Sequence, residues 1–353
     1  MDRVLLTISA ATGAFVVSAA MTGCARPAGP LFEPVEPAIV FPSPPDAPRI
    51  RCIGAYRGSD DLRRAKTGWE VTAEWLNRAD HRPTVFSRPH AVAVGSGDRI
   101  YVADGGMACV HLIDMRARRH MVIDHAGETR LRSPAGIAVA GERLFVSDAA
   151  LAEVFVYSAA GEYVERVPAD CERPGGLAVC GDTGRMYVVD TSGHRVVMLS
   201  RVGNSGDSWA VDGAFGQRGR GPGEFNYPTD IACDPAWGIV VSDTLNFRVQ
   251  RFDFDGKWAG SIGGKGNGAG DFSLPKGVAV DRHGHLYVVD AQFENVQVFQ
   301  MDGRLLMAFG EEGNQLGAFA IPAGIAIDDH DRIWVADAYN RRLQMFQYLN
   351  GTG

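Results

Sequence analysis

From residue 89 onward, apolar and polar positions alternate in short bursts that repeat. Each copy opens on a proline and continues as a small–aliphatic alternation. After a polar gap comes a β-rich run of five closing on aspartate, then a second β-rich run. The five-residue runs are Ile100–Asp104, Leu144–Asp148, Met186–Asp190, Ile239–Asp243, Leu286–Asp290 and Ile333–Asp337. Their aspartates stand 44, 42, 53, 47 and 47 residues apart. The opening prolines, Pro89, Pro134, Pro174, Pro228, Pro275 and Pro322, keep the same rhythm. Six residues after each aspartate sits Val110, Val154, Val196, Val249, Val296 or Leu343, with no gap needed in any copy. Runs of this length, rich in Val, Ile and aromatics and bounded by Gly, Asp and Pro, predict strands.

The turn chemistry agrees. Asp255-Gly256, Asp302-Gly303 and Ala160-Gly161 predict hairpins between the third and fourth strands of their copies. Glycines return before the prolines in Gly216 to Gly223, Gly263 to Gly270 and Gly310 to Gly317, where the chain must turn toward the next copy. Four short antiparallel strands on a period near 45 predict an all-β, six-bladed β-propeller. That single domain replaces the two domains that 353 residues would otherwise suggest.

The sixth copy ends at Tyr348 without a fourth strand, and 349–353 read as a short tail. Arg49–Gly54, whose Ile53-Gly54 ending echoes Ile262-Gly263, predicts the missing strand, so that the N-terminus closes the ring and protects both edges. Between them, 59–86 form an insertion. Helical spacing of Trp69, Val71, Trp75 and Leu76 predicts a short helix over 69–79. The propeller domain then covers 49–348.

Asn246-Phe247-Arg248-Val249-Gln250-Arg251-Phe252 and Asn340-Arg341-Arg342-Leu343-Gln344-Met345-Phe346 follow a Tyr-Val-x-Asp type of run. With the preceding proline and small–aliphatic strand, this resembles the NHL repeat over residues 89–348. The chain as a whole resembles a bacterial family of NHL-repeat lipoproteins through Phe41-Pro42-Ser43-Pro44-Pro45 and Pro48-Arg49-Ile50. That resemblance implies a six-bladed propeller and assigns no biochemical activity.

Residues 1–23 read as an address rather than a fold element. Arg3 precedes a short apolar stretch from Val4 to Ala20, too rich in Ala, Ser and Thr for a spanning helix. It ends in Met21-Thr22-Gly23-Cys24, which is similar to a lipobox and implies acylation of Cys24 after cleavage. Ala25 in place of aspartate implies the outer membrane where the organism has one. Residues 24–48 carry eight prolines, so neither helix nor central strand is expected there. They predict an extended tether of up to about 75 Å, at roughly 3.1 Å per residue.

Net charge is −7, from 35 basic and 42 acidic side chains, which gives no support to phosphate-backbone binding. The remaining cysteines, Cys52, Cys109, Cys171, Cys180 and Cys233, lack metal-site spacing. Cys180 and Cys233 end neighbouring inner strands one residue out of step. Mostly buried thiols, with one bridge at most, are expected.

The six repeat aspartates invite a metal reading, yet each recurs with the fold. They are expected to accept hydrogen bonds from the following turn, or to pair with Arg195, Arg248 or Arg342 five residues on. Ligand sites in such rings lie at the mouth of the central channel, where the inner strands begin. The two residues after each proline are mostly Gly or Ala, and the exceptions are His90, Thr229 with Asp230, and Lys276. Loops between second and third strands add His194, Asn246, Gln292, Glu294, Asn340 and Arg341 on the same face. Peptide-amidating lyases share the NHL fold and hold zinc with several histidines, and Phe225 to Ala232 resembles a stretch of theirs. Calcium-dependent propeller lactonases need several axial oxygens. Only His90 and Asp230 are available for either metal, and a catalytic zinc wants three protein ligands. The sequence therefore favours a membrane-anchored, extracytoplasmic binding or scaffold module for a protein or other envelope ligand, without cofactor or nucleic acid. The alternative is a zinc- or calcium-dependent lyase or hydrolase at the channel mouth.

Overall fold

The computed structural model describes residues 30–62, 83–181, 183–202 and 208–349. The signal segment, Cys24, the expected helix over 69–79 and the tail beyond Leu349 lie outside the described residues. Six antiparallel sheets form the ring. Blade 1 runs Pro89–Gly95, Arg99–Asp104, Cys109–Asp114 and Arg119–Ile123. Blades 2 to 5 repeat this meander with inner strands Pro134–Ala140, Pro174–Cys180, Pro228–Asp234 and Pro275–Val280. Blade 6 contains Pro322–Ile327, Arg332–Asp337 and Arg342–Tyr348. Its outer place is filled by Ile50–Tyr56, paired antiparallel with Arg342–Tyr348 from Ile50↔Tyr348 to Tyr56↔Leu343. The ring is thus closed by the N-terminal strand.

The second strand of each blade is buried on both faces, which explains why it reads as an unbroken apolar run. Ile100 to Ala103, and Ile239 to Val241, are at most 1% exposed because neighbouring blades cover both sides. Where that strand carries a tyrosine, the ring spans the layer and its hydroxyl finds a partner: Tyr101 donates to Ala159 O at 2.8 Å and Tyr187 to Phe254 O at 2.8 Å. Between blades, Phe225, Phe272 and Phe319 are fully buried under the glycine turns. A Cβ on Gly263 would collide with the Phe272 ring, and Gly263 has φ +76°, so glycine is required there twice over.

Residues 30–48 depart from the expected free tether. Val40–Phe41 pairs with Ile50–Arg51 as a fifth strand on blade 6. Leu31 and Phe32 pack on the cluster containing Tyr56 and Trp334; Ile39 and Phe41 pack on the one containing Phe309 and Phe346. The apolar residues between the prolines are what the extended-chain reading overlooked. Their packing makes the segment a strap over the last blade, and it pairs with the Ile50–Cys52 end of the edge that Ile50–Tyr56 would otherwise leave open. A disulfide joins Cys180 and Cys233, linking the inner strands of blades 3 and 4 across a Cα–Cα distance of 5.8 Å, while Cys52, Cys109 and Cys171 are buried thiols.

Candidate functional site

The repeat aspartates are spent on the fold. Asp104 accepts from the backbone N–H of Ser87 (2.6 Å), Arg88 (2.9 Å), Gly106 (2.9 Å) and Met107 (3.1 Å), which ties the turn after its own strand to the entry of the inner strand. Asp148 and Asp290 do the same. In blades 3, 4 and 6 an arginine joins them: Arg195 Nε to Asp190 (3.2 Å), Arg248 Nε to Asp243 (2.8 Å) and Arg342 Nε to Asp337 (2.7 Å). Completely buried carboxylates with this many donors have nothing left for a ligand.

Inner strands converge at the channel mouth, and their third residues almost touch. A Cβ on Gly324 would stand 2.8 Å from Ala91 Cα, and one on Gly277 would stand 3.0 Å from Gly324 Cα. This crowding is why glycine or alanine fills five of the six places. The sixth holds Asp230, whose carboxyl lies over Gly176 of the preceding blade and accepts from Val278 N at 3.1 Å in the following one.

Above this ring opens a cavity of about 500 Å³. All six blades line it. Of the sequence candidates it brings together His90, Thr229, Asp230 and Lys276. The other six, His194, Asn246, Gln292, Glu294, Asn340 and Arg341, do not line it. His194 is buried and accepts from Tyr227 N at 3.1 Å through Nδ1. Asn246 donates to Gly219 O and to Asp243, and Asn340 donates to Gly313 O and to Asp337. Glu294 accepts from Ile321 N. Arg341 occupies a left-handed turn position and does not line the cavity. The side chains of His194, Asn246, Glu294 and Asn340 lock loops in place, a task that the loop's position on the correct face does not reveal.

Residues missed by sequence reasoning complete the wall: Ser133, Arg173 and Tyr227 just before the repeat prolines, and Thr191, Thr244 and Leu245 just after the repeat aspartates. The repeat alignment carried that signal, because both registers feed the same rim. Met107, Tyr227, Leu245, Ile321 and Tyr339 are exposed on these same turns, Tyr339 to 75%, so the mouth has an apolar surround.

Electrostatics at the mouth follow from confinement. Burial pushes the Asp230 carboxyl up to about 6, although N–H donors from Val278 and Ile231 pull it the other way. Burial drives the His90 imidazole below its ordinary value, and the Lys276 ammonium adds to this while Asp104 and nearby main-chain groups oppose it. Burial also lowers Lys276. Thr244 Oγ1 donates to Pro275 O at 2.8 Å and lies 2.7 Å from Thr229 Oγ1. With the Thr244 proton committed, Thr229 Oγ1 gives its own to Thr244 or to Lys276 O at 3.4 Å, and in either case offers the cavity an acceptor only. For a metal, His90 and Asp230 line one cavity, yet among the described residues no three His, Cys, Asp or Glu side chains assemble around a common point.

Six four-stranded blades closed by an N-terminal strand, with a cavity at the channel mouth, define a six-bladed β-propeller. Residues 86–111 and 319–346, in blades 1 and 6, match the NHL repeat, so the chain is a six-bladed propeller that carries NHL repeats in those two blades. The mouse NHL repeat-containing protein 3 is 26% identical over 231 residues, covering 59% of this chain and 61% of its own, so the chain spans less than two thirds of that relative. Among solved structures, a streptogramin B lyase aligns with a TM-score of 0.54 at 12% identity, over 75% of this chain and 94% of the lyase. An auxiliary nutrient binding protein from Bacteroides ovatus aligns with a TM-score of 0.57 at 14% identity, over 75% of this chain and 70% of that one. At such identities the likeness is one of fold.

Proposed function

We propose that this chain is an exported binding module, anchored through acylated Cys24, that holds its ligand at the mouth of the propeller channel. The observation that carries the reading is the meeting of Lys276 and Asp230 in one cavity, with Asp230 standing where packing gives the other five blades Gly or Ala. A rigid ring with polar groups set into one opening suits recognition. The Cys180–Cys233 disulfide supports an oxidising compartment, as export requires. A catalytic metal at the same mouth finds less support, since His90 and Asp230 lack a third donor of the usual types among the described residues.

The test is a thermal-shift screen of small molecules and of envelope extracts against the wild-type chain and its Asp230→Asn and Lys276→Gln variants. Stabilisation by a compound or fraction that disappears in either variant is the expected result. Stabilisation that ignores both substitutions would move the site away from the mouth. For the anchor, Cys24→Ser should release the chain from the membrane fraction, and retention there would contradict acylation.

A further inference from the structure

Resting on the reading of the mouth as a binding site, we infer that its ligand is a small organic acid carrying a hydrogen-bond donor next to its carboxylate, as in an α-amino or α-hydroxy acid. Lys276 and Arg173 hold the acid end, and Asp230 with Thr229 receives the donor.

Lys276 is the first argument. It lines the cavity, and no carboxylate lies within ion-pair distance of it among the described residues. The repeat does not call for a lysine here, because the same place holds His90, Ala135, Gly175, Thr229 and Ala323 in the other blades, none of them a permanent cation. Arginines that serve the fold are paired, as Arg195, Arg248 and Arg342 are. Arg173 is exposed at the cavity rim and likewise has no carboxylate partner among the described residues. Two cations without counter-ions, walling one cavity, select an anion.

Asp230 restricts which anion. Its carboxylate receives only main-chain N–H groups, and Thr229 turns an acceptor toward the same space. A ligand with charge on every side, such as a phosphate, would be repelled by Asp230. A carboxylate with an adjacent ammonium, hydroxyl or amide N–H satisfies both ends. About 500 Å³ lies within the roughly 300–1,000 Å³ of ligand pockets, and Tyr227, Leu245 and Ala149 offer an apolar wall for the remainder.

The experiment is calorimetric titration of the purified full chain at neutral pH with five probes. These are leucine, its hydroxy analogue leucic acid, leucinamide without the acid, 4-methylpentanoate without the donor, and alanyl-leucine, whose donor is a peptide N–H. Leucine and leucic acid should bind about 10- to 100-fold more tightly than leucinamide or 4-methylpentanoate, the usual worth of a charge-assisted contact. Binding of alanyl-leucine above leucine would assign the site to a peptide C-terminus, and the reverse would assign it to a free acid. Lys276→Gln should bring leucine down to the leucinamide level, with Lys276→Arg retaining the preference. Asp230→Asn should bring leucine down to the 4-methylpentanoate level. The inference is overturned if leucinamide matches leucine, if Lys276→Gln leaves leucine unchanged, or if no probe binds at millimolar concentration. In that last case, an unrelated compound lost in Asp230→Asn would leave the mouth as the binding site, and one indifferent to both variants would remove that reading as well.

Discussion

The carboxyl of Asp230 rests over Gly176, and a Cβ on Gly176 would stand 2.6 Å from the Asp230 Cα. A site residue of one blade is therefore held by the absence of a side chain in the blade before. Gly176→Ala must push main chain against main chain, so it should cost more than about 1 kcal/mol in denaturant unfolding. Gly181, with nothing near the place a Cβ would occupy, is the control, and its alanine variant should stay within about 0.5 kcal/mol of wild type.

The three arginine–aspartate pairs form a graded series. Arg342 is 1% exposed, Arg248 14% and Arg195 33%, against aspartates that are wholly buried. Removing a partner from a buried pair strands a charge in low dielectric and costs about 3–5 kcal/mol, whereas a solvated pair is worth about 1 kcal/mol or less. Alanine variants should therefore lose stability in the order Arg342, Arg248, Arg195. Equal losses in chemical denaturation would contradict burial as the cause.

A hydrogen-bond chain couples the closing strand to blade 1. Tyr56 Oη lies 2.8 Å from His120 Nδ1, and His120 Nε2 lies 2.8 Å from His111 Nδ1. His111 Nε2 faces Asp104 Oδ2 at 3.5 Å. Along this line Tyr56 can donate to His120, His120 to His111 and His111 to Asp104. Burial and the neighbouring His111 push His120 down to about 3. A histidine lowered in the folded state contributes stability that is complete above the ordinary value near 6.5. That contribution falls as the pH drops toward 3, by at most about 1.4 kcal/mol per unit. Wild type should lose stability over that window, and His120→Gln should lose less.

Asp230 has the opposite sign. Its folded value near 6 stands above the ordinary carboxylate value of 3.8, so the folded state holds its proton longer, and stability declines as pH rises from about 4 to 6. Asp230→Asn should be more stable than wild type at pH 7 and indistinguishable from it near pH 3. An unchanged difference across that range would mean that the carboxyl is solvated in the folded protein.

Much of this was legible in the sequence because the repeat repeats its reasons. The aspartates, the prolines and the glycine turns recur with the blade, so their structural duty could be read from periodicity alone. The closing strand was legible from the missing fourth strand of the last copy. Phe32 and Phe41 were masked by the prolines around them: composition argued for extension, while the burial of two aromatic rings on blade 6 lies in contacts hundreds of residues away. At the mouth, His90, Thr229, Asp230 and Lys276 stood out as departures from Gly and Ala. His194, Asn246, Glu294 and Asn340 were assigned to the correct face, but their direction depends on left-handed turns and on acceptors in other blades.

Because residues from Leu31 onward are strapped to blade 6, the reach from Cys24 to the propeller shrinks. Seven steps of chain span at most about 25 Å, not the length of a long tether. If Cys24 is acylated, the outer edge of blade 6 should ride close to the membrane. A spin label or fluorophore on Arg51 should then be quenched by headgroup probes more strongly than one on Arg166 of blade 2, and equal quenching would contradict the short reach.

The most direct measurement is ¹³C NMR of the reductively methylated chain. Four lysines, Lys66, Lys257, Lys265 and Lys276, give four assignable signals, with Lys276 identified by its loss in Lys276→Arg. The account predicts that the Lys276 resonance titrates below the ordinary lysine value and shifts, with a rising titration midpoint, when a carboxylate ligand is added. A ligand that moves the other lysine signals while leaving Lys276 unchanged would contradict the channel mouth as the binding site.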